Sequence, residues 1–153
     1  MSKAEFVYVT FIRTTSDKLW QALLDADFQR QYWSGYHIET EWKKGAAWKL
    51  VSEDGSLADV GEIEEFEPPK RLVLTWRHEK FPEFRNEGAT HCSFVIEPSD
   101  GQVKLTVVHS GDGDGPNKLI DAVSNGWPAI LASLKSLLET GEALPRPDRY
   151  RKA

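Results

Sequence analysis

Asn117-Lys118-Leu119-Ile120-Asp121-Ala122-Val123-Ser124-Asn125-Gly126-Trp127-Pro128-Ala129-Ile130-Leu131-Ala132-Ser133-Leu134-Lys135-Ser136-Leu137-Leu138-Glu139-Thr140 decides the fold of this chain. Its apolar residues fall at Leu119, Ile120, Val123, Trp127, Ile130, Leu131, Leu134, Leu137 and Leu138. Intervals of three and four place them on one stripe of an amphipathic helix. About 24 residues at about 1.5 Å each span about 36 Å, the width of a small domain. The stripe needs an equally long apolar partner, and the residues before it read as strands. A long terminal helix gripped by an antiparallel sheet is an α+β arrangement in which a cavity often forms between the layers. Pro128 removes one helical hydrogen bond and crowds the preceding turn, which predicts a kink or break near residues 124–126.

Working outward, residues 6–13 are rich in β-branched and aromatic side chains and read as the first strand. Thr15 caps a short helix over 16–24 with Leu19, Trp20, Leu23 and Leu24 inward, and Asp25 caps a second over 26–33. The end of that second helix is aromatic: Phe28, Tyr32, Trp33 and Tyr36. Strands follow at 37–42, 47–51, 60–66, 71–78, 90–97 and 103–109, punctuated by Lys43-Lys44-Gly45, Glu53-Asp54-Gly55, Pro68-Pro69 and Ser99-Asp100-Gly101. Connections this short favour antiparallel neighbours. Residues 79–89 read as a long polar and aromatic loop, 111–116 as a glycine-rich connection into the long helix, and Gly141 as the helix-ending residue. The expected organisation is one domain over 1–142 and a surface tail over 143–153.

Composition narrows the function classes. A chain of 153 residues fits one domain with an ordinary core. Its net charge of −5, with scattered Lys and Arg, gives neither a nucleic-acid footprint nor a polybasic membrane patch. No apolar run approaches the about 18 residues of a membrane span, and the N-terminus has no secretory h-region, so no membrane insertion is expected. The single cysteine, Cys92, forms no intrachain disulfide and suits a cytoplasmic protein. Six tryptophans and seven phenylalanines are many for this length, and most must sit in the core or line a pocket.

Few motifs carry chemistry. Asp112 and Asp114 between glycines hint at a calcium loop, but Pro116 and Val123 stand where oxygen ligands are required. His37, His78, His91 and His109 lie on four different strands without ligand spacing. Cys92 has no sign of activation and reads as a small buried hydrophobe. No metal, cofactor or catalytic residue is assigned. What remains is the aromatic set: Trp20 and Trp127 inward on helices, Trp48 and Trp76 on strands with Leu50, Leu72 and Leu74, and Phe94 and His109 on further inward rows. These rings either fill a dense core or leave an apolar pocket, and the fold class favours the pocket. Trp48, Trp76, Phe94, His109, Trp127 and Leu131 are the expected walls, with Trp33 and Tyr36 near the mouth.

Several blocks recur in order: Ile12-Arg13-Thr14-Thr15 with Leu19-Trp20-Gln21-Ala22-Leu23; Lys44-Gly45 with Trp48; Gly61-Glu62-Ile63; Glu67-Pro68-Pro69-Lys70-Arg71-Leu72-Val73-Leu74-Thr75-Trp76; Lys104-Leu105-Thr106-Val107-Val108-His109; and Gly126-Trp127-Pro128 through Gly141. Together they resemble the bacterial branch of the heat-shock-protein-90 ATPase activator family, within the START-like (SRPBCC) superfamily. The resemblance implies a helix-grip fold and a cavity that, across the superfamily, holds apolar molecules.

The first expectation is therefore binding of a small apolar or aromatic molecule, by a monomer or homodimer. The alternative is a co-chaperone-like interaction module with a chaperone partner. The third is cyclase- or hydrolase-type catalysis, with His109 or a nearby carboxylate as acid or base. The 111–116 connection and the first half of the long helix are expected to form a mobile gate.

Overall fold

The computed structural model describes residues 3–145. The chain runs β1 (Lys3–Ile12), α1 (Ser16–Leu24), α2 (Ala26–Tyr32), β2 (His37–Glu39), β3 (Ala47–Val51), β4 (Leu57–Glu67), β5 (Arg71–His78), α3 (Pro82–Arg85), β6 (Thr90–Ser99), β7 (Gln102–Asp114) and α4 (Lys118–Thr140). The seven strands form one sheet in the order β1-β7-β6-β5-β4-β3-β2, with every neighbour antiparallel. From β2 to β7 each strand pairs with the next in sequence, and only the passage from β1 to β2 crosses the sheet, through α1 and α2. This is the expected helix-grip arrangement, a curved sheet around a long C-terminal helix.

Local chemistry sets the helix ends. Thr15 Oγ1 accepts from the Lys18 amide at 3.2 Å and opens α1. The Asp25 carboxylate accepts from the Asp27 and Phe28 amides at 2.8 and 3.3 Å and opens α2, while its own amide bonds Gln21 and closes α1. Asn117 Oδ1 accepts from Ile120 at 3.1 Å, and Gly141, at φ 87°, ends α4 in the left-handed region that favours glycine. The α4 stripe buries Leu119, Ile120, Trp127, Leu131, Leu134 and Leu137. Across from it lie Ile12, Leu72, Leu74, Cys92, Ile96 and Leu105, all in the same core.

Four sequence expectations need correction. First, of the kink or break expected near residues 124–126 the break is absent: α4 runs from Lys118 to Thr140 through Pro128, because the fixed proline φ is itself helical and only one bond is forfeited. Second, residues 79–89 contain α3, one turn begun by Pro82, too short to leave any periodicity in the sequence. Third, β7 continues to Asp114: Gly111 stands opposite Thr90, and Asp114 opposite Lys3. Backbone pairing on both sides outweighs the turn-like composition, and of the three glycines here only Gly115 takes a positive φ, 89°. The connection expected to be half of a gate is therefore mostly strand. Fourth, β2 ends at Glu39, and Trp42 turns the chain at φ 47°.

Within the segment expected as a tail, Ala143 packs against the core and the Leu144 amide donates to Ser133 Oγ at 3.1 Å. Residues 146–153 lie outside the described residues.

Candidate functional site

Successive strand residues point to opposite faces, so Leu72, Leu74 and Trp76 of β5 share the buried side facing α4. Trp76 is the hub of a ring cluster. Its centroid lies 4.6 Å from Trp48, 5.4 Å from His109, 5.7 Å from Trp127 and 6.0 Å from Trp33. Phe94 joins edge-on to Trp127 at 5.8 Å. These separations fall within the range of favourable ring contacts. Six of the eight residues expected at the site are thus in one contiguous cluster, although they do not all face the same space.

His109 lies behind Trp127, fully buried, with both ring nitrogens engaged. An indole N–H can only donate, so Trp127 Nε1 donates to His109 Nδ1 at 3.1 Å. Nε2 of the neutral ring then carries the hydrogen and donates to Thr90 Oγ1 at 2.7 Å, and the Thr90 hydroxyl donates to the Trp76 carbonyl at 2.9 Å. Burial, with a smaller contribution from the nearby His91, pushes the His109 pKa down to about 3. The relay fixes the Trp127 ring and ties α4 to β5, β6 and β7.

Trp48 is also committed to the core. Its partner on β4 is Gly61, and the indole crosses over that residue to donate to the Thr75 carbonyl at 3.0 Å. Thr75 Oγ1 accepts the Glu62 amide at 2.8 Å beside it. A Cβ on Gly61 would lie 1.9 Å from the Thr75 carbonyl oxygen and 2.6 Å from the Trp48 nitrogen, so only glycine permits the crossing.

On the other side of the cluster is a partly open cavity of about 550 Å³. It is bounded by the end of α2, strands β3 to β5, α3 and the outer flank of α4. Trp33, Tyr36, Trp76 and Trp127 line it. Trp48, Phe94, His109 and Leu131 do not; Phe94 and Leu131 instead border, with Trp127, a void of about 10 Å³. Sequence reasoning did not single out Leu119, Val123, Gly126 and Ile130 on α4, Phe84 on α3 with Phe81 just before it, or Leu144 at the rim. The α4 residues were visible as members or neighbours of the stripe, but nothing in its period tells which flank leaves the sheet.

Polar groups are few. Asp59 and His78 face each other across β4 and β5, and Asp59 Oδ1 lies 2.6 Å from His78 Nδ1. Both line the cavity, together with Lys80, Gln31, Ser34 and Ser133. Neither Asp59 nor His78 stood out in the sequence, where Asp59 precedes the expected strand and His78 ends one.

Two further groups lie elsewhere. On the opposite face of the sheet His91 sits between Glu64 and Asp112, each at 2.5 Å, and these carboxylates, Glu64 first, raise its pKa. Cys92 is buried, and desolvation pushes its thiol well above the usual range, so it is no nucleophile at neutral pH. No helix among the described residues is long and apolar enough to cross a membrane.

Comparison with solved structures supports the architecture. A protein from Mesorhizobium loti, MLL2253, superposes with a TM-score of 0.73 at 21% identity, covering 88% of this chain and 96% of the other. The solution structure of the Aha1 dimer from Colwellia psychrerythraea gives 0.71 at 22% identity, covering 91% and 98%. CalU16 from Micromonospora echinospora gives 0.72 at 17% identity, covering 94% and 69%. Identities this low establish the fold alone. No curated protein matches the chain in sequence. The family profile described as Activator of Hsp90 ATPase homolog 1-like protein matches residues 13–139. Sequence blocks, sheet order and long gripped helix agree with that match, and the chain belongs to the Activator of Hsp90 ATPase homolog 1-like protein family.

Proposed function

We propose that this protein binds a small apolar or aromatic molecule, without covalent chemistry, in the cavity between the sheet and α4. The observation that carries the reading is the cavity of about 550 Å³ with Trp33, Trp76 and Trp127 in its wall. Its size falls within the about 300–1,000 Å³ of small-molecule sites, and its mix of rings with a few polar groups is the usual form of such a site. The relay through His109 holds Trp127 in place before any ligand arrives, which lowers the ordering cost of binding. The catalytic alternative centred on His109 loses support because neither of its ring nitrogens is free. The test is a panel of hydrophobic compounds screened by intrinsic tryptophan fluorescence and thermal shift. At least one aromatic class should quench and stabilise, and a uniformly silent panel overturns the reading. A co-chaperone role, the alternative, needs no cavity, so chaperone ATPase stimulation that survives filling the pocket would favour it.

A homodimer is the assembly reading with a specific observation behind it. Edge strand β1 exposes Val7, Val9 and Phe11 by 53%, 47% and 42%. A long edge with apolar side chains is a template for pairing. Analytical ultracentrifugation of the wild type against Val9→Lys tests it: a dimer that the substitution dissociates supports the reading, and a monomer at all concentrations ends it.

A further inference from the structure

We infer that His78 and Asp59 form the polar end of the pocket and select aromatic ligands that carry a hydroxyl group. The inference rests on the pocket reading and adds the chemistry of the ligand. The register of β4 and β5 sets Asp59 directly opposite His78, so the sheet itself builds the pair. Their side chains are 10% and 13% exposed. A carboxylate only accepts, so the 2.6 Å contact puts the hydrogen on His78 Nδ1 and leaves Nε2 of the neutral ring as an acceptor. That Nε2 is buried and has no hydrogen-bond partner in the protein. Buried acceptors are rarely left unmet, because the desolvation cost is not recovered.

What covers this nitrogen is weakly held. Phe81 stacks on the His78 ring at 5.4 Å, and Phe84 meets it edge-on at 5.3 Å. Both come from the α3 turn, which has no side-chain cap, buries none of its residues and leaves Phe81 46% exposed. Displacing this turn exposes an acceptor at the end of an aromatic slot that begins at Trp76, two residues earlier on the same strand face. A phenolic O–H delivered there satisfies Nε2 while its ring stays among the tryptophans. A methyl ether or plain hydrocarbon leaves the acceptor unmet, and a carboxylate brings a second anion toward Asp59. Sites built around such a hydrogen bond discriminate strongly against analogues that lack it.

The experiment is calorimetric titration of the full chain at pH 8 with 9-phenanthrol, 9-methoxyphenanthrene, phenanthrene and phenanthrene-9-carboxylate. The phenol should bind at least about tenfold more tightly than its methyl ether. In His78→Phe that preference should fall to within about twofold, read as the ratio between the two ligands. The series on the unaltered protein decides the matter even if the variant does not fold. Equal affinities for phenol, ether and hydrocarbon would overturn the anchor and leave the pocket standing, as would a carboxylate that binds most tightly. Binding by none of the four would remove the pocket reading and the anchor with it.

Discussion

His109→Leu tests whether the relay behind the pocket is organised as its geometry requires. Leucine is similar in bulk and keeps the site filled, but it leaves the Trp127 Nε1–H without its acceptor in a fully enclosed position. An unmet buried donor costs about 1–3 kcal/mol, and Thr90 keeps its bond to the Trp76 carbonyl, so the variant should be less stable by about 2 kcal/mol at pH 8. Acid reverses the ranking. The folded pKa of His109 lies at about 3, below the ordinary 6.5, so between these values the unfolded chain binds more protons than the folded one. The contribution of His109 is complete above about pH 6.5 and is lost as pH falls through that window. Protonation costs the wild type about 2 kcal/mol by pH 5 and about 3 kcal/mol by pH 4, and the variant has no such loss. The two stability curves should cross near pH 5. Urea unfolding from pH 8 to pH 4, followed by circular dichroism, measures the difference. His91, whose raised pKa has the opposite pH dependence, is present in both proteins, so only its smaller repulsion with His109 enters the comparison. A difference independent of pH would refute the buried neutral histidine.

Three other outcomes follow from the same geometry. Gly61→Ala places a methyl group 1.9 Å from the Thr75 carbonyl oxygen, a backbone atom that cannot step aside, and should cost at least about 3 kcal/mol in chemical denaturation; a loss under about 1 kcal/mol contradicts the Trp48 crossing. Ala122→Trp, on the half-buried pocket flank of α4, should weaken aromatic binding by at least about tenfold while moving the melting temperature by only a few degrees; unchanged affinity places the ligand elsewhere. In hydrogen exchange the α3 amides, bonded only within their own turn and the residues beside it, should exchange at least about tenfold faster than those of β5 and β6, and protection equal to the strands removes α3 as the opening. The same data compare residues 118–125 with 130–138, and equal protection there leaves α3 as the only moving wall.

The fold was legible because its longest signals are local and periodic. The α4 stripe, the Thr15 and Asp25 caps and the left-handed Gly141 can each be read from a few neighbouring residues. The aromatic cluster was legible too, since bulky apolar rings on inward rows have few other places to go. Which rings face the cavity was not. Trp48 and Trp76 look alike in the sequence, and only the absence of a side chain at Gly61 on the neighbouring strand turns Trp48 into the core. His109 shows the same limit, because its partners Thr90 and Trp127 come from distant elements. Asp59 and His78 were invisible for a similar reason: their pairing depends on cross-strand register, which no single segment encodes.

The central claim is that an apolar molecule occupies the space walled by Trp33, Trp76 and Trp127. Titrating 15N-labelled protein with 9-phenanthrol and following the tryptophan indole N–H resonances tests it most directly. The account predicts saturable shifts at Trp33, Trp76 and Trp127, with Trp20, which packs on Phe66 away from the cavity, unmoved. Indole resonances that stay fixed at saturating ligand, or shifts confined to Trp20, would contradict it.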